Sequence, residues 1–168
     1  MQTPVPKNPT PSNHVIPFDL KLRPARKKDA AFAEALYLLT MLPLLTALGL
    51  GDEQRLRARF AQGYKRECSK IACIIPADVG WIQLSKTSTG FHLDQLHLIP
   101  EWRGHGIGSY LIEAMLQRAG KAGATVALDV IRGNPAFALY QKFGFRPVEE
   151  DEEKHKMLWR PNSKLDRA

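Results

Sequence analysis

The fold of this chain is decided by one stretch, Pro100-Glu101-Trp102-Arg103-Gly104-His105-Gly106-Ile107-Gly108-Ser109. Glycines at alternate positions let the backbone approach a ligand and point successive N–H groups at it. The stretch leads directly into a helix predicted at about 105–122, and a helix N-terminus carries a partial positive charge. The sequence therefore predicts a turn that binds an anion such as a pyrophosphate.

Two other phosphate loops fit this stretch poorly. A P-loop requires a lysine before its Ser or Thr, whereas Gly108 is followed directly by Ser109. In a dinucleotide fingerprint, Gly-x-Gly-x-x-Gly follows the strand at once, whereas here the last glycine comes one residue early and extra residues precede the turn. The pattern that fits is Arg-x-x-Gly-x-Gly, formed by Arg103, Gly106 and Gly108. A turn that serves packing alone is the remaining alternative.

Hydrophobic periodicity predicts the elements on either side of the turn. The expected elements are a strand at 18–23, a helix at 28–41, a helix carrying Leu56, Phe60 and Tyr64 on one face, strands at 70–75, 79–85 and 91–99, the helix at 105–122, a strand at 125–131, a helix capped by Asn134 and Pro135 and ended by Gly144, and strands at 145–149 and 156–160. The order βααβββαβαββ indicates an α/β (α+β) fold, with a mixed sheet covered by helices on both faces.

The strand at 91–99 carries a finer signal. Its apolar residues occupy odd positions up to Leu93 and even positions from Leu96 onward, so that the alternation slips at Asp94 and Gln95. A slip of one residue within a strand is typical of a β-bulge, and bulges are common next to active sites. The alternative is a strand buried on both faces, which the polar residues of this strand disfavour.

A second motif follows the next strand. It comprises Asn134-Pro135-Ala136, Leu139-Tyr140 and Lys142-Phe143-Gly144-Phe145. This motif and the Arg-x-x-Gly-x-Gly turn lie at the spacing that is typical of one family. On these two motifs the sequence resembles the GNAT superfamily of N-acyltransferases over about residues 18–161. The resemblance implies a mostly antiparallel sheet of about seven strands, with a splay between strands four and five. It also implies acetyl-CoA as cosubstrate and no metal.

The resemblance assigns residues to the acetyl-CoA site. Backbone groups of Leu96, His97 and Leu98 would pair with the pantetheine arm, and the Leu98 N–H would polarise the thioester carbonyl. Asn134 would contact the same arm, although helix capping explains it equally well, and Lys142 would meet the 3′-phosphate unless it is an ordinary surface lysine. The pyrophosphate would be held mainly by backbone amides of Arg103, Gly104, His105, Gly106, Ile107, Gly108 and Ser109.

The resemblance also implies direct attack by a primary amine in a ternary complex. Tyr140 stands where the family places the acid that protonates the departing thiolate, and a packed aromatic is the alternative. For the base, Asp129 is the first candidate, because a carboxylate interrupting an apolar strand is costly unless it is paired or used. His97 is the second candidate, and a chain of water molecules is the third. Cys68 and Cys73 lie away from both motifs and are expected to be core residues.

The acceptor is constrained only in outline. The apolar segment 42–50 and the acidic run 149–153 would roof the acceptor groove, and the acids would attract a cation unless they form an ordinary solvated loop. We expect a small-molecule amine, a peptide N-terminus or a lysine, and pairing of exposed sheet edges would allow a homodimer. A non-catalytic acyl-CoA-binding module and a basic nucleic-acid-binding protein are the two alternative functions.

Composition agrees with one globular domain. The chain has 168 residues and a net charge of +7, from 24 Lys and Arg against 17 Asp and Glu. We expect a Pro-rich mobile tail at 1–16, a single N-acetyltransferase domain at 17–161 and a C-terminal tail at 162–168.

The apolar run 35–50 contains Pro43 and is too short to span a membrane, so that we expect a buried helix end and an apolar loop. Two cysteines form no disulfide framework, which favours a reduced, cytoplasmic protein. The positive charge is spread along the chain, and we expect it to serve a coenzyme A site rather than nucleic acid or a membrane.

Overall fold

The chain forms the predicted strands and helices in the predicted order. The computed structural model describes residues 16–162, so that most of the predicted N-terminal tail and residues 163–168 lie outside the described residues. The elements are β1 (Lys21–Pro24), α1 (Ala30–Ala47), α2 (Glu53–Gly63), β2 (Ser69–Ile74), β3 (Ala77–Lys86), β4 (Gly90–Leu98), α3 (Ile107–Lys121), β5 (Thr125–Ile131), α4 (Ala136–Lys142), β6 (Arg146–Glu150) and β7 (Lys154–Trp159).

The strands form one seven-stranded sheet in the order β1-β2-β3-β4-β5-β7-β6. Neighbouring strands are antiparallel except for β4 and β5, which are parallel and joined through α3. Apolar residues of α3 and α4 pack on one face of the sheet, and those of α1 and α2 pack on the other. The predicted mixed, mostly antiparallel sheet with helices on both faces is confirmed.

A bulge interrupts β4 where the sequence pattern slips. Gln95 lies opposite Gln83 of β3, and Leu93 lies opposite Leu84, so that no residue of β3 opposes Asp94. The bulge coincides with the end of the pairing between β4 and β5, which covers only Gly90–Leu93 against Thr125–Leu128. Beyond it the two strands part. The predicted bulge and the predicted splay are both confirmed.

Helix α1 departs from the prediction, because it continues through Pro43 to Ala47 instead of ending near Met41. The proline ring removes one hydrogen bond, to the carbonyl of Leu39. Leu39 is 53% exposed, so that water can satisfy this carbonyl. The expected apolar loop at 42–50 is therefore largely helix.

Helix α1 is also apolar enough to resemble a membrane-spanning helix. Together with the 3₁₀ turn before it, the stretch Lys27–Ala47 has 21 residues and contains an 18-residue window with a mean hydropathy of 1.6, which by length and composition alone would suffice to cross a membrane. In the folded domain it packs on the sheet and on α2 through Ala33, Leu36, Tyr37 and Leu45, which are buried in the core. The core helix of a folded domain meets the same criteria.

Candidate active site

A cleft of about 270 Å³ opens where β4 and β5 part. Tyr37 of α1 and Arg59 of α2 line it from one face of the sheet, and Tyr140 of α4 lines it from the other. The residues predicted for catalysis and for the acyl arm meet here. Those among them that line the cleft are Leu96, His97, Asp129, Asn134 and Tyr140.

The glycine turn has the backbone that an anion site requires. Gly104 and Gly106 adopt positive φ angles of 76° and 80°, a conformation that only glycine adopts at little cost. Helix α3 begins directly after Gly106, and its first intrahelical hydrogen bond runs from the Tyr110 N–H to the Gly106 carbonyl. The N–H groups of residues 107–109 therefore have no acceptor within the helix. This free N-terminus fits a phosphate group.

Arg103 fixes the position of this turn. Its Nε donates to the carbonyl of Leu98 at 3.0 Å, and its Nη2 donates to Thr40 Oγ1 of α1 at 3.2 Å. An aromatic cluster supports the turn from the other side, with the ring of Trp102 lying 5.1 Å from Phe18 and 5.7 Å from His105. The sequence pattern identified Arg103, whereas these supporting contacts depend on tertiary packing.

The backbone of β4 beyond the bulge presents amides to the splay. The Ile99 N–H donates to the Val79 carbonyl of β3 at 2.9 Å. Hydrogen-bonding direction alternates along an antiparallel strand, so that the amide of His97 also faces β3, whereas those of Leu96 and Leu98 face the splay. Of the three residues predicted to pair with a pantetheine arm, two have amides on that side.

The side chain of Tyr140 is buried, with 8% of the residue exposed, and reaches the cleft wall. Its ring packs edge-on against Phe145, with 5.5 Å between centroids. Burial raises the pKa of the phenol to about 12, because the phenolate is poorly solvated there. The phenol is therefore a proton donor over the whole neutral range.

Asp129 projects into the cleft from β5. The residue is exposed, and its Oδ2 accepts a hydrogen bond from Lys154 Nζ at 2.8 Å, so that the pairing expected of a carboxylate in an apolar strand is present. The Lys154 ammonium balances its charge. The carboxylate is thus ion-paired rather than isolated.

The side chain of His97 lies under the cleft. It is buried, its ring stacks on Trp81 with 5.7 Å between centroids, and its Nε2 lies 2.6 Å from Gln95 Oε1. Burial lowers the pKa of the imidazole to about 4, with a smaller contribution from the positive charge of Arg103. The ring is therefore neutral at pH 7, and one of its nitrogens is already engaged.

The two remaining residues that were predicted to contact coenzyme A are Asn134 and Lys142, and their surroundings differ. Asn134 Oδ1 accepts the Ala136 N–H at 2.9 Å, so that its helix-capping role is confirmed while its contact with a pantetheine arm stays a prediction. Lys142 is exposed in the last turn of α4 and is not part of the cleft wall. Its contact with a 3′-phosphate also stays a prediction.

The acidic run before and within the β6–β7 turn is largely neutralised by neighbouring cations. Glu149 pairs with Lys156 at 3.0 Å, Glu150 with Arg132 at 3.4 Å, and Glu153 with Arg59 at 2.7 Å. Asp151 accepts the backbone N–H groups of Lys154 and Glu153, which lower the pKa of its carboxyl. Among these acids, only Glu153 lines the cleft, where its ion pair joins α2 to the β6–β7 turn.

Sequence reasoning missed a polar network at the bulge. Asp94 Oδ1 lies 2.8 Å from His92 Nδ1, and its Oδ2 accepts hydrogen bonds from Ser85 Oγ and, at 3.1 Å, from Gln83 Nε2. His92 and Asp94 both line the cleft. The signal in the sequence was the unusual number of polar residues in strand 91–99, which had been used only to support the bulge.

Comparisons with known proteins identify similar sequences and folds among acetyltransferases. The sequence profile of a family described as "Acetyltransferase (GNAT) domain" matches residues 52–165. A segment of the Cysteine-rich protein 2-binding protein of Homo sapiens is 41% identical over 58 residues, which are 34% of this chain and 7% of that protein. The match thus spans only a small part of the length of this curated relative.

Solved structures share the fold. The PaiA N-acetyltransferase from Thermoplasma acidophilum, solved in complex with coenzyme A, superimposes with a TM-score of 0.69 at 19% identity, over 84% of this chain and 99% of that one. The ribosomal-protein-S18-alanine N-acetyltransferase from Escherichia coli gives a TM-score of 0.64 at 16% identity, over 86% and 95% of the two chains. At these identities the likeness is one of fold.

Proposed function

This chain belongs to the GNAT acetyltransferases, and from that membership we propose that it transfers an acetyl group from acetyl-CoA to a primary amine. The amine attacks directly in a ternary complex. One observation supports the proposal best: Leu96, whose amide faces the splay, and Tyr140 line one cleft, and β4 leads on from there to the glycine turn and the N-terminus of α3.

The residues present fit an acyl-CoA molecule. The amides of the turn and of the first residues of α3 would hold its pyrophosphate, because glycines at positive φ bring the backbone close and the helix end is positive. The amides of Leu96 and Leu98 would pair with the pantetheine arm as a neighbouring strand would. In the same proposal, Asn134 contacts this arm, and Lys142 meets the 3′-phosphate.

Bound acyl-CoA supplies the thioester carbonyl that the amine attacks. The Leu98 N–H, free on the splay side, donates to the carbonyl oxygen as negative charge develops there. Tyr140 gives its phenolic proton to the departing thiolate, and this phenol is protonated at neutral pH. No side chain forms a covalent bond to the acyl group.

The amine must lose a proton before it attacks, since an unperturbed lysine-like amine has a pKa of about 10. Asp129 stays the prediction that the sequence makes for the base, and its place in the cleft suits contact with the amine. Its carboxylate is paired with Lys154, and in this proposal it also attracts the acceptor's ammonium group. His97 is less suited to be the base, because its ring is buried and its pKa is lowered to about 4.

The acceptor is a small-molecule amine, a peptide N-terminus or a lysine side chain in this proposal. Nucleic acid and membranes are not partners in it, and a homodimer through the sheet edges stays a prediction. Carboxylates of Asp129 and Glu153 line the cleft, and each of them is paired with a cation that also lines it. At either of these two carboxylates, an acceptor ammonium would have to compete with Lys154 or Arg59.

A screen of amine acceptors with acetyl-CoA tests the proposal, with free thiol release as the readout. Thiol release that requires an amine and falls roughly 100-fold in Tyr140→Phe would support it. Tight coenzyme A binding with no amine-dependent release would instead identify a non-catalytic acyl-CoA-binding module. Steeply salt-dependent binding to DNA or RNA, without coenzyme A binding, would identify a nucleic-acid-binding protein.

A further inference from the structure

We propose that His92, oriented by Asp94 at the bulge of β4, takes the proton from the acceptor amine. This inference rests on the proposed function, because it identifies the base for the same transfer. His92 precedes the bulge by two residues, at the point where the splay begins. Its side chain is 33% exposed, and it lines the cleft.

The first support is the contact between the two side chains. Asp94 Oδ1 lies 2.8 Å from His92 Nδ1. A carboxylate accepts hydrogen bonds, so that it selects the tautomer in which Nδ1 carries the proton. Nε2 is then the nitrogen with a free lone pair. The carboxylate would also stabilise the imidazolium that forms when Nε2 accepts a proton.

The second support is the way in which Asp94 is held. Its other oxygen accepts hydrogen bonds from Ser85 and Gln83 of β3. Gln83 is itself fixed, because its Oε1 accepts the Lys65 N–H at 2.9 Å and its Nε2 also lies 2.9 Å from the Gly63 carbonyl at the end of α2. The carboxylate therefore has little freedom to leave His92.

The charge state of Asp94 agrees with this role. Burial raises the pKa of its carboxyl, but hydrogen bonds from His92, Ser85 and Gln83 outweigh that effect, and the net pKa is lowered. The side chain is thus an anion at neutral pH, half-buried beside the imidazole. An ionised carboxylate surrounded by donors in a cleft wall orients a histidine better than a solvated one does.

The other candidate bases are less available. His97 Nε2 is 2.6 Å from Gln95, and Asp129 is 2.8 Å from the Lys154 ammonium. His97 is also buried, and its lowered pKa makes it a weak base, whereas the side chain of His92 is partly exposed in the cleft. Titratable groups from every element around the cleft can affect it, and they are Tyr37 of α1, Arg59 of α2, Asp94 and His97 of β4, Asp129 of β5, Tyr140 of α4, Glu153 of the turn and Lys154 of β7.

The acceptor's ammonium group loses two protons during the whole transfer. One N–H bond breaks as Nε2 of His92 forms its own N–H bond, and this proton then passes to solvent. The second proton replaces, through water in the cleft, the proton that Tyr140 gives to the thiolate. The products are the amide, the free thiol and one proton in solution.

Kinetics of His92→Gln and Asp94→Asn test the assignment. In His92→Gln we expect kcat/KM for the amine to fall roughly 100-fold, and the acid limb of its pH profile to disappear, while the dissociation constant of coenzyme A stays unchanged. In Asp94→Asn we expect a smaller loss and a displaced acid limb, since the imidazole is present but poorly oriented. Asp129→Asn, which removes another carboxylate from the cleft wall, should keep the acid limb.

A measurement that needs no turnover accompanies the kinetics. ¹⁵N NMR of histidine-labelled protein reports the tautomer of each ring, and the His92 signals are assigned by their absence in His92→Gln. We expect the Nδ1–H tautomer in the native protein and a loss of that preference in Asp94→Asn. If His92→Gln does not fold, His92→Asn provides the assignment and the kinetics.

The outcomes separate this inference from the proposed function. If His92→Gln keeps native kcat/KM and its acid limb, or if NMR shows the Nε2–H tautomer, the inference is overturned while acetyl transfer stands. If the native protein transfers acetyl to no amine, the proposed function fails, and the inference fails with it.

Discussion

Arg103 ties the glycine turn to the splay, because its Nε donates to the Leu98 carbonyl at 3.0 Å. The Leu98 N–H faces the splay, so that a single guanidinium links the glycine turn to the amide proposed to bind the thioester oxygen. A second bond, to Thr40 Oγ1, anchors the same guanidinium to α1. The arginine of the turn motif thus acts through geometry as well as charge.

Arg103→Lys should weaken coenzyme A binding roughly tenfold. A lysine ammonium keeps the positive charge but cannot form the forked contacts to Leu98 and Thr40, and each net hydrogen bond contributes about 1 kcal/mol. Isothermal titration calorimetry measures the effect. Thr40→Val, which removes only one of the two bonds, is the matched control and should weaken binding less. Native affinity in Arg103→Lys would show that charge alone suffices.

Gly106 and Gly108 should respond differently to alanine. Gly106 has a φ of 80°, so that Gly106→Ala should lower the free energy of unfolding by about 1–2 kcal/mol. Gly108 lies in α3 with ordinary backbone, and an added Cβ would lie 4.0 Å from the Leu98 side chain, so that Gly108→Ala should raise stability by up to about 1 kcal/mol.

Both alanine variants should nevertheless lose coenzyme A affinity, because a methyl group occupies the space in which the backbone approaches a phosphate. Urea unfolding and calorimetry on the same samples measure the two effects. A stable Gly108→Ala protein with native affinity would contradict close approach at this residue.

The sequence predicts those parts of the site whose signals are local. The turn depends on glycines within a few residues of one another, and the bulge depends on a phase change at Asp94 within a single strand. Helix α1 was predicted to end near Met41, whereas it continues to Ala47, because Pro43 removes only one hydrogen bond and its acceptor belongs to Leu39, an exposed residue of the helix.

Contacts between distant segments could not be predicted in the same way. The Lys154 partner of Asp129 is 25 residues away in the chain, and the Arg59 partner of Glu153 is 94 residues away. Even the contact between His92 and Asp94 required the structure, because residues two apart on a strand share a face without having to touch. Composition predicts which groups are present, and tertiary packing decides which of them meet.

Tyr140→Phe should alter stability at high pH as well as turnover. The folded protein holds the phenol at a pKa of about 12, against about 10 in an unfolded chain, so that the native state keeps its proton where the unfolded state loses it. The stability due to this burial is present below pH 10 and is lost between pH 10 and 12. Tyr140→Phe should avoid a loss on the order of 2 kcal/mol in that window, as measured by urea unfolding. Parallel curves for the two proteins would contradict the burial of the hydroxyl.

His97 should make the native protein sensitive to mild acid. Its pKa is about 4 when folded and about 6.5 when unfolded, so that the unfolded chain binds the proton first as the pH falls. The free energy of unfolding should therefore be unaffected by the titration of His97 above pH 6.5 and should decrease between pH 6.5 and 4. His97→Gln should flatten this decrease, whereas His105→Gln, which changes an exposed ring, should not. Equal slopes in all three proteins would show that His97 does not cause it.

Asp129→Asn should raise KM for a cationic acceptor several-fold and leave the acid limb of the pH profile in place. The substitution removes the carboxylate but keeps the Lys154 ammonium, and an unpaired cation in the cleft wall repels the acceptor by about 1 kcal/mol at a partly solvated site. The double variant with Lys154→Gln removes that repulsion and should recover most of the lost affinity, whereas a catalytic base could not be restored in this way. Steady-state kinetics of the two single variants and the double variant therefore show whether Asp129 binds the acceptor or acts as the base. If Asp129→Asn loses the acid limb of the pH profile and Lys154→Gln does not restore it, Asp129 is the base and His92 is not.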